Sequence, residues 1–181
     1  MQKKYKCLLF DLDGTLLDTA PEFLTCLNFL LKKNKKKSVT YDFVRNRVSD
    51  GVGRLIQDSF FIDENHSEFE GLRTDLLDEY IKNYLMSKTF PGVDEFLNEL
   101  SSNKIDWMIV TNKPKKFSQE ICEKYDWHNL AAAIVSPEDV DGKRKPDPAS
   151  LDAALTKTTI KKEHCIYIGD NWRDIEAANN S

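Results

Sequence analysis

Leu8-Leu9-Phe10-Asp11-Leu12-Asp13-Gly14-Thr15 is an apolar run that stops abruptly at two carboxylates, a glycine and a threonine. Cys7 to Phe10 reads as a strand buried on both faces, with Asp11 at its C-terminal end. Open parallel sheets place their ligand sites at that end. Asp11 and Asp13 stand two apart and share a face of an extended chain, and like charges that close are costly unless a cation lies between them. Taken alone, the stretch also fits a solvated strand-to-loop junction rich in turn formers.

Three further pieces follow downstream in a consistent order. Ile109-Val110-Thr111-Asn112 is a second apolar run ending in a hydroxyl, and Lys145-Pro146-Asp147-Pro148 supplies a cation on a stiffened loop. Ile166-Tyr167-Ile168-Gly169-Asp170-Asn171-Trp172-Arg173-Asp174 is a third run ending in carboxylates. The combination resembles the haloacid dehalogenase-like superfamily, in its phosphoglycolate phosphatase-like branch. That pattern is DxDGT, a hydrophobic strand ending in Thr or Ser, a Lys, then GDxxxD. The resemblance covers essentially the whole chain.

The 181 residues suit one domain with an insertion or two small domains, and 40% hydrophobic with 31% charged residues is an ordinary globular composition. A formal net charge of -4 gives no reason to expect nucleic acid or an anionic membrane as partner. The apolar stretches are too short to span a bilayer, and Met1 to Lys6 leads into a strand rather than a signal-peptide core, so a cytoplasmic protein is expected. Cys7, Cys26, Cys122 and Cys165 form no CxxC pair and read as buried free thiols. His66, His128 and His164 are isolated and receive no chemistry.

After Thr15 the periodicity becomes helical. Asp18-Thr19-Ala20-Pro21-Glu22 reads as a helix start, and Phe23, Leu24, Leu27, Leu30 and Leu31 recur at helical spacing. The basic run Lys32 to Lys37 reads as a solvated helix end rather than a phosphate patch. From Thr40 to about Leu85 the pattern stays helical, through Phe43, Val44, Leu55, Ile56, Phe60, Phe61, Phe69, Leu72, Leu76 and Tyr80. In the resemblance this segment corresponds to a small helical cap that closes over the strand ends and excludes water. Within it, Gly51-Val52-Gly53-Arg54 is read as a loop just before a helix, with free N–H groups and a forked cation for a substrate anion. A plain helix-helix turn is the competing reading.

Phe90-Pro91-Gly92-Val93 marks the return to the core. It is followed by a helix over Asp94 to Leu100, with Phe96, Leu97 and Leu100 on one face, and a strand Trp107 to Thr111. A helix near Pro114 to Tyr125, a short strand around Ala132 to Ser136, a helix from Pro148 to Leu155 and a strand Cys165 to Gly169 complete the alternation. The expected architecture is α/β. A doubly wound parallel-sheet (Rossmann-like) core, residues 1–16 and 88–181, carries an all-helical cap, residues 17–87, inserted after the first strand.

The resemblance implies a phosphatase for a small phosphorylated metabolite, phosphoglycolate being the first candidate. Asp11 would be the nucleophile, forming an aspartyl-phosphate, and Asp13 the general acid and base. Mg2+ would be held by Asp11, Asp13 through its backbone carbonyl, and Asp170, with Asp174 acting through the metal's waters or orienting neighbours. Thr111, the Asn112 backbone N–H and Lys145 would hold the phosphoryl oxygens, with Gly14 keeping the approach open. The family's Lys-Pro pattern selects Lys145 over Lys143 and Arg144. Gly51, Gly53 and Arg54 would contact the substrate from the cap.

Relatives usually continue past the helix begun at Asp174 with a further strand and helix. The expectation is therefore that the strand ending at Gly169 lies at the sheet edge, with a less stable frame and weaker Mg2+ binding. A monomer or weak homodimer is expected. Two other readings of the same residues are a beta-phosphoglucomutase-type sugar phosphomutase and a degenerate phosphate-binding member without catalysis.

Overall fold

The structure is a computed structural model that describes residues 5–181; the predicted lead-in Met1 to Lys4 lies outside the described residues. In chain order its elements are β1 (Cys7–Phe10), β2 (Leu17–Asp18), α1 (Ala20–Lys33), α2 (Tyr41–Arg45), α3 (Val52–Phe60), α4 (Phe69–Ile81), β3 (Lys88–Thr89), α5 (Val93–Ser102) and β4 (Asp106–Val110). There follow α6 (Lys115–Lys124), α7 (Trp127–Leu130), β5 (Ala133–Val135), α8 (Ala149–Leu155), β6 (Cys165–Ile168) and α9 (Trp172–Asn180). The chain forms two compact units, residues 1–17 with 89–181, and residues 18–88.

The first unit is built on a four-stranded parallel sheet of order β5-β4-β1-β6. Parallel strands covered by helices on both faces need apolar side chains in both directions. That requirement explains the unbroken runs at Cys7 to Phe10 and Trp107 to Val110, all of them buried. On one face Cys7, Leu9, Met108, Val110 and Val135 pack with Leu151, Ala154 and Ala177 from α8 and α9. On the other, Phe10 meets the edge of the Phe96 ring at 6.2 Å, and Trp107 meets Trp127 edge-on at 6.4 Å. Phe96 remains 41% exposed, so α5 buries Leu97 and Leu100 and leaves the third residue of the predicted face half in water.

Strand order decides where the site can lie. From β1 the chain winds outward through β4 to β5, then returns to place β6 on the opposite side of β1. The direction of winding reverses between β1 and β6, and such a reversal opens a crevice at the carboxyl ends of the strands. Register aligns those ends, since Phe10 lies beside both Ile109 and Ile168. Asp11 extends the ladder by donating its N–H to the Ile168 carbonyl at 2.9 Å. With β6 at the edge of the sheet, its residues Cys165 to Ile168 are only partly covered.

The second unit is helical. Its core joins α1, α3 and α4 through buried Cys26, Leu27, Leu30, Leu31, Leu55, Ile56 and Leu76, with the Phe23 and Tyr80 rings stacked at 4.2 Å. Thr40 caps α2 by accepting the Phe43 N–H at 3.3 Å. Two sequence expectations are corrected here. Phe61 does not continue the apolar stripe: it ends α3 with φ 59° and is 89% exposed. Gly53 does not precede a helix but lies in the first turn of α3, with Gly51 as the N-cap at φ 93°.

The Met108 side chain is fully buried at the centre of the sheet. Met108→Ala should cost about 2–5 kcal/mol of unfolding free energy, read from urea denaturation, because a close-packed sheet cannot collapse into the cavity.

Candidate active site

Three chain segments, more than fifty residues apart, meet at the carboxyl ends of β1, β4 and β6. Asp11 is buried one residue past β1, Thr111 is buried one residue past β4, and Asp170 is exposed two residues past β6. Asp174 sits in the first turn of α9, where it forms a capping box with Asn171 and is buried. Carboxylate oxygens of Asp11, Asp170 and Asp174 lie within 4.8 Å of one another.

Lys145 enters this cluster from the loop before α8 and is itself buried. Its Nζ donates to Asp11 Oδ1 at 2.7 Å, Asp174 Oδ1 at 2.7 Å, Tyr167 Oη at 2.6 Å and the Val110 carbonyl at 3.1 Å. An ammonium has three N–H donors, so these four acceptors already use its whole capacity. Asn112 fixes the loop that delivers it. The Asn112 side-chain amide donates to the Lys145 carbonyl at 3.0 Å, and its oxygen accepts the Lys145 N–H at 2.8 Å. The sequence expectation used only the backbone N–H of Asn112, and its side chain has this separate work.

Two glycines are required by the carboxylates. A Cβ on Gly14 would stand 2.2 Å from Asp170 Oδ2, and one on Gly169 would stand 2.4 Å from the Asp174 carboxyl carbon. Gly14 also has φ 88°, a region L side chains rarely adopt. Glycine is thus the residue that lets the two ends of the crevice approach.

Two functional side chains escaped the sequence reading. Lys113, buried two residues past Thr111, donates from Nζ to both oxygens of Asp13 at 3.0 and 3.1 Å. Tyr167 Oη lies 2.9 Å from Asp174 Oδ1 and 3.1 Å from the Val110 carbonyl, with its one O–H to share between them. In the sequence Lys113 is one of several lysines near a strand end, and Tyr167 is one aromatic within an apolar strand. A hydroxyl placed in a fully apolar run was the available signal for Tyr167.

Burial pushes the Asp11 carboxyl up to about 7, with the Asp174 and Asp13 charges adding to the rise and Lys145 opposing it. Burial also raises the Tyr167 phenol, with Asp11 and Asp174 adding to the effect, so its hydroxyl stays a donor. One ammonium serves two of the three clustered carboxylates, leaving the cluster net negative. Clustered hard oxygen donors with surplus negative charge, one of them exposed, fit a hexacoordinate divalent cation such as Mg2+. Asp174 has both oxygens engaged by the protein, Oδ1 by Lys145 and Tyr167 and Oδ2 by the Asn171 N–H at 3.0 Å.

The three sequence-predicted residues of the helical unit lie together at the start of α3. Gly51 and Gly53 flank the start of α3, and Arg54 donates from Nε to Asp58 at 3.1 Å, a carboxylate it shares with Arg47 at 2.7 Å.

This sheet order and carboxylate arrangement define an α/β protein with an acidic crevice at its strand ends, and comparison with known proteins names the family. The haloacid dehalogenase-like hydrolase family matches residues 8–181, and the chain belongs to it. An N-acetylmuramic acid 6-phosphate phosphatase from Pseudomonas putida is 31% identical over 179 residues, covering 98% of this chain and 80% of that protein. A phosphoglycolate phosphatase from Xanthomonas campestris pv. campestris is 33% identical over 178 residues, covering 96% and 78%. The crystal structure of a predicted phosphoglycolate phosphatase from Haemophilus somnus shares the fold, with a TM-score of 0.81 at 24% identity over 99% of this chain and 83% of that one.

Two outcomes follow from this geometry. Gly14→Ala should destabilise the fold by about 1–3 kcal/mol through backbone strain and displace Asp170; thermal melting and hydrolase activity check both. The second concerns pH. The folded protein holds the Asp11 proton more tightly than the unfolded chain between the ordinary value of 3.8 and about 7. The contribution of this group is therefore complete below the lower value and lost as pH rises through the upper one. Asp11→Asn should gain stability relative to wild type as pH rises across that window and hold a constant advantage above it, measured by urea denaturation with a chelator present.

Proposed function

We propose that the chain is a Mg2+-dependent phosphatase of small phosphate monoesters, acting through an aspartyl-phosphate. The observation that carries this reading is the convergence of Asp11, Asp170, Asp174 and Lys145 at one end of the parallel sheet. Asp11, the Asp13 backbone carbonyl and Asp170 would hold the cation, with Asp174 orienting Lys145. Mg2+, when bound, supplies the positive charge that lets a carboxylate approach a phosphate dianion.

Asp11 attacks phosphorus while the bond to the leaving oxygen breaks, and Asp13 passes a proton to that oxygen. Asp13 then takes a proton from the water that cleaves the acyl-phosphate, restoring both carboxyl groups. Thr111 and the Asn112 N–H bind the phosphoryl oxygens, and Gly14, which carries no side chain, keeps the approach open. Lys145, whose donors are engaged by Asp11, Asp174, Tyr167 and Val110, acts by neutralising the rear of the cluster and holding Asp11 in line.

The helical unit, residues 18–88, is proposed as the substrate-selecting cap, through Gly51, Gly53 and Arg54. N-acetylmuramic acid 6-phosphate and phosphoglycolate, the compounds for which the two relatives are named, both join a phosphate monoester to a carboxylate. A monoester carrying a second anionic group is accordingly the proposed substrate class, with Arg54 as the matching cation. A cytoplasmic setting goes with such metabolites, and no helix among the described residues is long and apolar enough to cross a membrane.

The test is turnover of p-nitrophenyl phosphate, phosphoglycolate and N-acetylmuramic acid 6-phosphate with Mg2+ and with chelator. Turnover should require Mg2+, and Asp11→Asn should reduce it to background while the circular dichroism spectrum stays unchanged. Hydrolysis by Asp11→Asn at the wild-type rate would remove the covalent mechanism. Retained turnover in chelator would remove the metal.

A further inference from the structure

We propose that Lys113 is the positioning residue for proton transfer by Asp13, an inference that rests on the reading of Asp13 as general acid and base. The Lys113 side chain is only 6% exposed and that of Asp13 26%. Lysine is almost never buried unless paired. Here the pairing is two-pronged, with Nζ at 3.0 and 3.1 Å from the two carboxylate oxygens. Equal contacts to both oxygens hold the plane of the carboxylate as well as its distance. A carboxylate offers about four lone-pair sites, so the two contacts leave others for the proton.

The backbone that carries Lys113 is itself tied to the strand end. The Lys113 N–H donates to Thr111 Oγ1 at 3.1 Å, which ties the turn after β4 to the hydroxyl at its start. The two acidic residues of β1 and its turn are thereby served by separate cations. Lys145 holds Asp11, and Lys113 holds Asp13. In the first step the bond from phosphorus to the leaving oxygen breaks, a bond from phosphorus to Asp11 forms, and the Asp13 proton goes to the leaving oxygen. In the second, water bonds to phosphorus, its proton returns to Asp13 and the Asp11 carboxylate is released. Lys113 makes no bond in either step. It fixes where the Asp13 oxygens stand, and a misplacement of an ångström in such a group costs on the order of 10²-fold in rate.

Protonation of the leaving group matters for a basic leaving oxygen and little for p-nitrophenolate, so the two esters separate proton transfer from everything else. The measurement is kcat/KM for phenyl phosphate and p-nitrophenyl phosphate in wild type, Lys113→Gln, Lys113→Arg, Asp13→Asn and the double variant Asp13→Asn with Lys113→Gln. Lys113→Gln should lose about 10²-fold on phenyl phosphate and only a few-fold on p-nitrophenyl phosphate. Lys113→Arg, which keeps a cation, should show a smaller split. In the Asp13→Asn background the Lys113→Gln change should have no further effect, because a residue acting only through Asp13 has nothing left to act on.

Equal losses on both esters, or an undiminished loss in the Asp13→Asn background, would overturn the inference and make Lys113 a structural or substrate-binding residue. If Lys113→Gln does not fold, Lys113→Met, which also removes the cation, is read in its place on the same two esters, and equal losses on both are a refutation. A split in Asp13→Asn without one in the Lys113 variants removes this inference alone. No split in Asp13→Asn, or no hydrolysis of either ester by wild type, removes the acid-base reading and this inference with it.

Discussion

The buried ammonium of Lys145 is the contact on which the site depends. Two buried carboxylates, Asp11 and Asp174, meet one ammonium, and each would repel the other without a cation between them. Burial alone raises the Asp11 carboxyl toward its neutral form, and Lys145 works against that shift. Lys145 must therefore be placed accurately, and several unrelated features serve that placement. Asn112 grips its backbone, Tyr167 and the Val110 carbonyl grip its tip, and the capping box of α9 holds Asp174 in front of it.

The turn after β4 emerges as the organiser of the site. Thr111, Asn112 and Lys113 are consecutive, yet they serve three different ends: Thr111 anchors the turn, Asn112 holds the Lys145 loop, and Lys113 holds Asp13. A turn at the end of a central parallel strand is suited to this. The sheet fixes its start, and its side chains radiate toward neighbours on both sides of the crevice. Glycine completes the arrangement from the other strands, since any side chain at Gly14 or Gly169 would fill the space occupied by Asp170 or Asp174.

The cluster gathers three carboxylates about one buried ammonium. Such a site lowers stability where no counter-ion is bound, and the same imbalance creates its affinity for a cation. The surrounding core supplies the compensation. Leu9, Met108 and Val110 pack under the strand ends, directly beneath the charged residues that those strands carry.

The local pattern of the chain determined much of this. Apolar runs of four or five residues mark β1, β4 and β6, helical spacing marks α1, α5 and α8, and the polar residues at the run ends mark the catalytic edge. Those features are legible because each depends on neighbours within a few positions. The family followed from four short motifs in order, and the matching of residues 8–181 agrees with it. What the sequence alone left undecided is which ammonium meets which carboxylate. Lys113 and Asp13 lie 100 positions apart, and Lys145 and Asp11 lie 134 apart. Phe61 looked like core and is exposed, and Tyr167 looked like core and is part of the polar network. These pairings were decided by the parallel register that sets Phe10 beside Ile109 and Ile168. Register is a property of whole strands packed on both faces, and no local stretch of chain encodes it.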